Sequence, residues 1–355
     1  MSGKFSHMDT LKHMLSIPAL SREEDRRATY LQEVLEGLGH TVKRVNNNLV
    51  AGEFSEDADC FNLVLNSHMD TVPPVNGWEG DPFIPVEKDG RLIALGSNDA
   101  GASVVTLISV FHSMKENRNM RLNLVLLISA EEEISGEKGL RAVLPSLGRV
   151  DGVIVGEPTE MHAAVAERGL LVLDGTVKGK AGHAARAEGV NAISLAMEDV
   201  AAIGRLQFPE TSEWLQDPSA QVTMIKGGTK HNVIPDVCSY VMDVRSNDRY
   251  SNIDLLKMIR ECCHAELTPR STRLTSSGLN RDHILMQAVE ACGLKAFGSS
   301  TLSDMALFPF PALKMGPGDS ARSHTAGEFI LPGEMEQGIA GYRKYIKALE
   351  KLIEG

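Results

Sequence analysis

The stretch "LNLVLLISAEEEISGEKG", residues 122–139, decides how the fold is read. From Leu122 to Ser129 every residue except Asn123 suits a buried or half-buried strand, as in a sheet covered on both faces. Three carboxylates, Glu131, Glu132 and Glu133, follow almost at once. Like charges side by side near a core repel and lose solvation, so packing alone does not ask for them. The cluster sits where a central strand leaves its sheet, and that is a place for chemistry.

Outward from this strand the chain alternates. "FNLVLNS" and "GVIVGEP" read as further apolar strands, and "ASVVTLISVFHSM" and "KGLRAVLPSLG" as helices between them. Such alternation predicts an α/β fold with a mostly parallel sheet and helices on both faces. Upstream, "SREEDRRATYLQEVLEGLG" has Ser21 and Glu24 at capping-box spacing and ends on Gly37 and Gly39, which predicts a helix. After Glu167 the texture changes. "GLLVLDGTVKGKAG" alternates apolar and polar residues, as a strand with one wet face does. The helix "NAISLAMEDVAAIGRL", the strands "SAQVTMIKGG" and "VCSYVMDVRS", the helix "NIDLLKMIREC" and a short strand in "AELTPRSTRL" follow. We read 168–272 as a small α+β domain inserted into a larger one made of 1–167 and 273–355. The closing helix is "GEMEQGIAGYRKYIKALEKLIE".

Bulk properties narrow the function. A chain of 355 residues, 43% hydrophobic and 23% charged, is ordinary for a globular protein of one large or two smaller domains. No apolar run approaches the roughly 18 to 20 residues needed to span a bilayer, and "MSGKFSHMDT" carries no export signal. Five scattered cysteines without a C-x-x-C pair fit reduced thiols and a cytoplasmic setting; Cys262 and Cys263 read as packing residues of a helix. A net charge of −11 argues against nucleic acid or anionic membrane as a partner.

Ligands of open α/β sheets bind at the carboxyl ends of strands. Those ends bring His68 and Asp70, Asp99 after "RLIALGSN", the acidic triplet, Glu157, and His324 after "PALKMGPG". Two histidines and several carboxylates on one rim point to metal binding. "HMDT" occurs twice, at His7 and at His68, but only the second copy follows an apolar strand. In an extended segment Asp70 lies on the same side as His68 and can hydrogen-bond the ring nitrogen that faces away from a metal. The first copy reads as chance. Gly227 and Gly228 read as turn residues rather than a phosphate cradle.

The motifs "SHMDTVP", "GSNDAGAS", "ISAEEEISGEKG", "VGEPTE", "GKAGHAARA", "HNVIPDVCSYVMDVR" and "GPGDSARSHTAGEFI" resemble, in this order, the two-zinc aminoacylase and carboxypeptidase family. That family contains acetylornithine deacetylase and succinyl-diaminopimelate desuccinylase. The resemblance spans essentially the whole chain. It implies a zinc-peptidase-like main domain, and a ferredoxin-like insert that acts in dimerisation or as a lid. It implies one metal held by His68 and Glu157, a second by Glu133 and His324, and Asp99 bridging them. Two divalent cations, three carboxylates and one hydroxide sum to zero, so such a site is electrically balanced. Zinc is the expected metal, with cobalt or manganese as alternatives. Aligned on "LLIS", Glu132 takes the place of the general base, while Glu131 stands where the family usually has Asp. The Lys that many relatives carry after the bridging Asp is missing from Asp99-Ala100-Gly101-Ala102.

In the insert, the resemblance makes His183 a histidine that reaches a partner's active site across a homodimer to stabilise an oxyanion. Asn232 and Arg245 match positions that hold substrate, and Arg168 is a further candidate. A guanidinium suits a free carboxylate. For Arg245 an ordinary surface salt bridge is an equal reading. Arg186 and Lys230 are available for a second acidic group. The expected activity is hydrolysis of a linear amide, removing the acyl group of an N-acyl amino acid such as N-acetylornithine or N-acetylcitrulline in arginine biosynthesis. Desuccinylation and dipeptide cleavage are the alternatives. A non-catalytic nucleotide- or metal-binding module is disfavoured, because no G-x-G-x-x-G or P-loop follows a strand.

Overall fold

The computed structural model describes residues 5–114, 121–186 and 188–355. The chain divides into two compact units. The first contains residues up to Val165, then Leu279–Phe297 and Ser303–Gly355; the second contains Ala166–Gly278 and Gly298–Leu302. The expected insert, 168–272, lies inside the second.

The first unit is built on a mixed sheet. Seven of its strands are, in spatial order, Val42–Val45, Asn48–Ala51, Leu122–Ser129, Phe61–His68, Gly152–Val155, Ala312–Lys314 and Ala163–Glu167. Leu122–Ser129, Phe61–His68, Gly152–Val155 and Ala312–Lys314 run parallel, and the flanking strands pair antiparallel. The register sets His68 beside Ser129, so the strand with the first histidine and the strand before the acidic triplet end together. Their side chains are buried almost without interruption, as unbroken apolar runs demand. The helix Ala102–Met114 and the long closing helix Pro332–Glu354 pack on each other.

Three local readings change in the structure. The upstream helix begins at Asp25, and the Ser21–Glu24 capping box does not form. Ser21 Oγ instead donates to Asp70 Oδ2 at 2.7 Å, and the Glu24 carboxylate accepts from the Arg22, Glu131 and Asn47 nitrogens. Tertiary partners outcompete the local cap. Second, "RLIALGSND" is no strand of the main sheet. Arg91–Ile93 joins a small side sheet with Val86–Lys88 and Phe329–Ile330, and Asp99 lies in the tight turn Ser97–Gly101 that opens the helix Ala102–Met114. Third, "KGLRAVLPSLG" shrinks to the helical turns Leu140–Val143 and Leu144–Ser146, where Pro145 stops a longer helix. The first "HMDT" copy heads the helix His7–Leu15, and His7 pairs with Glu336.

The second unit is an antiparallel sheet in the order Ser219–Gly227, Val237–Ser246, Gly169–Lys178, Glu266–Pro269, with the helices Ala192–Ile203 and Asn252–Cys262. Gly169–Lys178 and Val237–Ser246 alternate in burial, and their inner residues form one core with the two helices. All five cysteines are free. Among the described residues, no helix is long and apolar enough to cross a membrane.

Candidate active site

His68 closes its strand fully buried, at 1% exposure. Its Nδ1 lies 3.1 Å from the backbone carbonyl of Asp70 and 3.5 Å from Asp70 Oδ1. The carbonyl can only accept, so Nδ1 carries a hydrogen, and Nε2 is the nitrogen that could offer a lone pair to an ion once its own proton is displaced. Nε2 faces oxygens alone: Asp99 Oδ1 at 3.1 Å, Glu157 Oε1 at 3.7 Å and Glu132 Oε2 at 3.9 Å. The expected partner of His68 is therefore Asp70, but through its main chain more than its carboxylate.

The Asp70 carboxylate is spent elsewhere. It accepts the N–H of Glu132 at 3.1 Å and of Glu133 at 3.2 Å, besides the Ser21 hydroxyl. Burial works against its charge, but His68, Ser21 and the Glu132 N–H outweigh that and hold the carboxyl below its usual range. Asp70 thus ties the acidic turn to the strand end that carries His68.

Glu131 turns away from its two neighbours. Its backbone is left-handed, φ 54°, and its N–H is held by Glu24. Its carboxylate accepts from the Lys138 N–H, and a side chain at Gly136 would collide with it. Glu131 closes the loop on itself, which leaves Glu132 and Glu133 on the side of the histidines.

Asp99 addresses both histidines. Oδ1 lies toward His68, and Oδ2 is 3.7 Å from His324 Nε2. Its turn is fixed by Glu328, a buried carboxylate that accepts the N–H groups of Gly96, Asn98 and Asp99 at 3.0, 2.8 and 2.9 Å. Gly101 is required here, because a Cβ would strike the Gly96 carbonyl. His324 sits in a loop with left-handed backbone, φ 59°, and meets Glu133 Oε2 at 3.0 Å.

These distances test the two-metal expectation. Ligand atoms about 2.0 to 2.1 Å from a tetrahedral zinc lie roughly 3.3 Å from one another. The His68–Asp99, His68–Glu157, His324–Glu133 and His324–Asp99 separations, 3.1, 3.7, 3.0 and 3.7 Å, bracket that value. Two overlapping groups, His68 with Asp99 and Glu133 and His68 with Glu132 and Glu157, hold all their ligand atoms within 4.8 Å. The residues fit. The site's own electrostatics agree: burial and Asp99 push Glu157 up to about 8, and the hydrogen bond to Glu133 pushes His324 up to about 9. Burial is also the main cause that holds Glu132 well above the ordinary carboxylate range. So much negative charge retains protons that divalent cations would replace.

Sequence reasoning missed the residues that hold this rim. Arg27 is buried at 1% exposure and donates to the Ile17 carbonyl from Nε and Nη2, and to the Met69 carbonyl from Nη1. Asp70, Glu24 and Glu328 surround it electrostatically, while burial lowers its pKa to about 10, still protonated near neutrality. A signal existed: Arg27 lies in register with Leu31 and Leu35, on the apolar stripe of its helix. Glu24 was read only as part of a local cap, and Glu328 and Asp304 gave no signal beyond being acids beside apolar residues.

In the second unit, the ribbon pairing of His183 with Val233 brings His183 and Asn232 together, both exposed. The Asn232 carbonyl accepts the Ala184 N–H, and His183 Nδ1 accepts the Ala185 N–H. The Arg245 fork is engaged by Asp243 at 2.8 and 3.0 Å. Arg168 Nη2 donates to the Asp217 and Arg245 carbonyls and to Ser219 Oγ. Arg186 and Lys230 are exposed.

Comparison with known proteins matches this architecture. A succinyl-diaminopimelate desuccinylase of Acidiphilium cryptum (strain JF-5) is 28% identical over 265 residues, 70% of each chain. An acetylornithine deacetylase of Myxococcus xanthus is 27% identical over 354 residues, 91% of this chain and 90% of that one. Among solved structures, a Staphylococcus aureus tripeptidase superposes with TM-score 0.75 at 22% identity over 97% of this chain and 98% of its own. Aminopeptidase PepT from Bacillus cereus reaches 0.77 at 19%, with the same coverage. The model of peptidase family M20/M25/M40 matches residues 64–348, a span that holds every metal-ligand candidate, and the chain belongs to that family of metallohydrolases.

Proposed function

We propose that this protein removes the acyl group from an N-acyl amino acid, with N-acetylornithine or N-acetylcitrulline as the preferred kind of substrate and arginine biosynthesis as the setting. The observation that carries the hydrolytic reading is Asp99, whose two oxygens address His68 and His324 while Glu132 lies beside them. Zinc, cobalt or manganese ions held by His68, Asp99 and Glu157 and by Asp99, Glu133 and His324 would polarise the amide carbonyl and acidify water. The chain's own part is proton management. Glu132 faces His68 and is assigned to no ion, and its raised pKa suits a group that takes a proton from water and returns it to the leaving amine. Glu131, turned into its own loop, is not placed for that task.

The preference for acyl amino acids is supported by the acetylornithine deacetylase of Myxococcus xanthus, aligned over nearly the whole chain. Desuccinylation is the second reading, favoured by a Delftia acidovorans relative named for that activity and aligned over 96% of this chain. The insert's role in a homodimer is supported by its edge strand Ser219–Gly227, which exposes Met224 and Ile225. In that reading His183 completes the partner's site and Asn232, Arg245 and Arg168 hold substrate. Mixing a His183→Ala chain with a Glu132→Gln chain then restores part of the activity, and no recovery in verified heterodimers removes the claim. Arg245 must exchange Asp243 for the substrate carboxylate.

The deciding experiment is a panel of N-acetyl and N-succinyl amino acids and dipeptides, with defined zinc, cobalt or manganese, compared by kcat/KM. A higher value for a dipeptide than for every N-acyl amino acid overturns the substrate assignment. No hydrolysis with any metal overturns the activity.

A further inference from the structure

One buried carboxylate of the first unit is assigned above neither to an ion nor to proton transfer, although its charge is among those that raise Glu132. Asp304, 2% exposed, begins the helical turn Asp304–Leu307. The other buried acids near the rim have clear employment: Asp70, Glu24 and Glu328 each gather backbone N–H groups of a ligand-bearing loop. Asp304 meets a hydroxyl, Ser129 Oγ, at 2.5 Å, and the Asn66 side-chain amide lies beside it as a second donor.

Ser129 is the joint between the two strand ends that matter. It is the last residue of Leu122–Ser129 and the register partner of His68. Its carbonyl accepts the Met69 N–H at 2.9 Å, and its hydroxyl also lies 3.2 Å from the Ser67 carbonyl and 3.1 Å from Asn66 Nδ2. A serine hydroxyl has one proton, so it cannot donate to Ser67 and to Asp304 at once. The shorter contact wins, and Asp304 selects the rotamer. The chain that leaves Ser129 reaches Glu132 three residues later. A bare carboxylate in the interior is costly unless hydrogen-bonded. Burial accordingly pushes Asp304 up to about 6, against the help of Ser129.

From this arrangement we infer that Asp304 is a positioning residue for the general base: through Ser129 it fixes where the acidic turn leaves the sheet relative to His68. It touches neither substrate nor metal. The inference rests on the hydrolytic reading for its kinetic consequence, while the Asp304–Ser129 latch itself does not.

The test uses the metal-loaded protein and four variants: Asp304→Leu, Asp304→Asn, Ser129→Ala and the Asp304→Leu/Ser129→Ala pair. Misplacing a catalytic group by a fraction of an ångström to one ångström costs about 10- to 100-fold. Asp304→Leu is expected to lower kcat by that factor, with KM and metal content close to wild type. Asp304→Asn keeps an oxygen that accepts from Ser129, so it recovers most of kcat. The pair is expected to fall well short of the product of the single losses, because the Asp304–Ser129 contact is already broken in each single change. If Asp304→Asn is as impaired as Asp304→Leu, or if the single losses multiply in the pair, the positioning role is wrong. Should Asp304→Leu fail to fold, Ser129→Ala against Ser129→Ala/Asp304→Asn asks the same question. Urea unfolding of the same set reads the latch without substrate: additive losses overturn it even if the panel finds no activity. Conversely, strong coupling with no hydrolysis by wild type sinks the proposed function and leaves the latch standing.

Discussion

His68 and His324 are offered to the same carboxylate, Asp99, but by very different means. His68 ends a central strand with its side chain 1% exposed, and the Asp70 carbonyl holds its back nitrogen. His324 stands on a loop in left-handed backbone with its side chain 52% exposed. It meets Glu133 and Asp99, both within the candidate ligand set. One ligand is pre-organised by the sheet; the other depends on what it binds. A site assembled this way would hold two ions unequally. The His68–Glu157 side would be the tighter, because less ordering would remain to be done when an ion arrives.

The sharpest test of that asymmetry is to remove each histidine. His68→Ala is expected to lose both ions and all activity, since it removes the rigid ligand beside the bridging Asp99. His324→Ala is expected to keep one ion per chain. Metal analysis after dialysis against a weak chelator reads both, and equal losses would break the comparison. Next in size, Glu132→Gln lowers turnover about 100- to 10,000-fold with both ions retained. Glu133→Gln is expected to resemble His324→Ala in metal content, and Glu131→Gln to keep both ions and most of the turnover. A dead Glu131→Gln with an active Glu132→Gln would move the base by one residue.

Two further variants probe what supports the rigid side. Asp70→Asn still offers the carbonyl to His68 but weakens the grip on the Glu132 and Glu133 N–H groups, and an outer partner of this kind typically costs about 10- to 100-fold in metal affinity. Arg27→Met leaves Asp70, Glu24 and Glu328 without their shared buried cation. Breaking a buried charge network costs about 3 to 5 kcal/mol, measured by urea unfolding. A loss below about 1 kcal/mol would show that the carbonyl contacts, and not the charge, are what Arg27 provides.

The smallest effect lies on the flexible side. In chelated protein, Glu133 raises the His324 pKa to about 9 from an ordinary value of 6.5. The folded state then binds more protons than the unfolded chain between those values, so stability falls as pH rises through that window and is fully present below it. His324→Gln is expected to flatten this slope. The half-exposed pair is screened, so the change is modest. A slope unchanged by the substitution would assign it to other groups.

Much of the site was legible because the chemistry is carried by short motifs at strand ends. The unbroken apolar runs in "FNLVLNSHMD" and before the triplet predict buried parallel strands, and those strands form with His68 and Ser129 in register. Asp99 was legible as a residue and misread as a position: its approach is a helix-opening turn, because "RLIAL" finds its partners in a side sheet with Phe329–Ile330. The capping box at Ser21 and Glu24 obeyed every local rule and still did not form, since both side chains gain more from Asp70 and from the Glu131 turn.

The amino-acid sequence by itself determined the central parallel strands, the insert with its one-sided strands, and which histidines and acids were candidates for the rim, because periodicity and residue chemistry are local properties. Only the tertiary structure decided where each acid points. Glu131, Glu132 and Glu133 are chemically alike and adjacent, and they are told apart by Glu24, Asp70 and His324, which lie 107, 62 and 191 residues away along the chain. Hydrogen bonds to such distant partners carry no trace in a window of sequence, yet they aim one carboxylate into its own loop, one toward His68 and one toward His324.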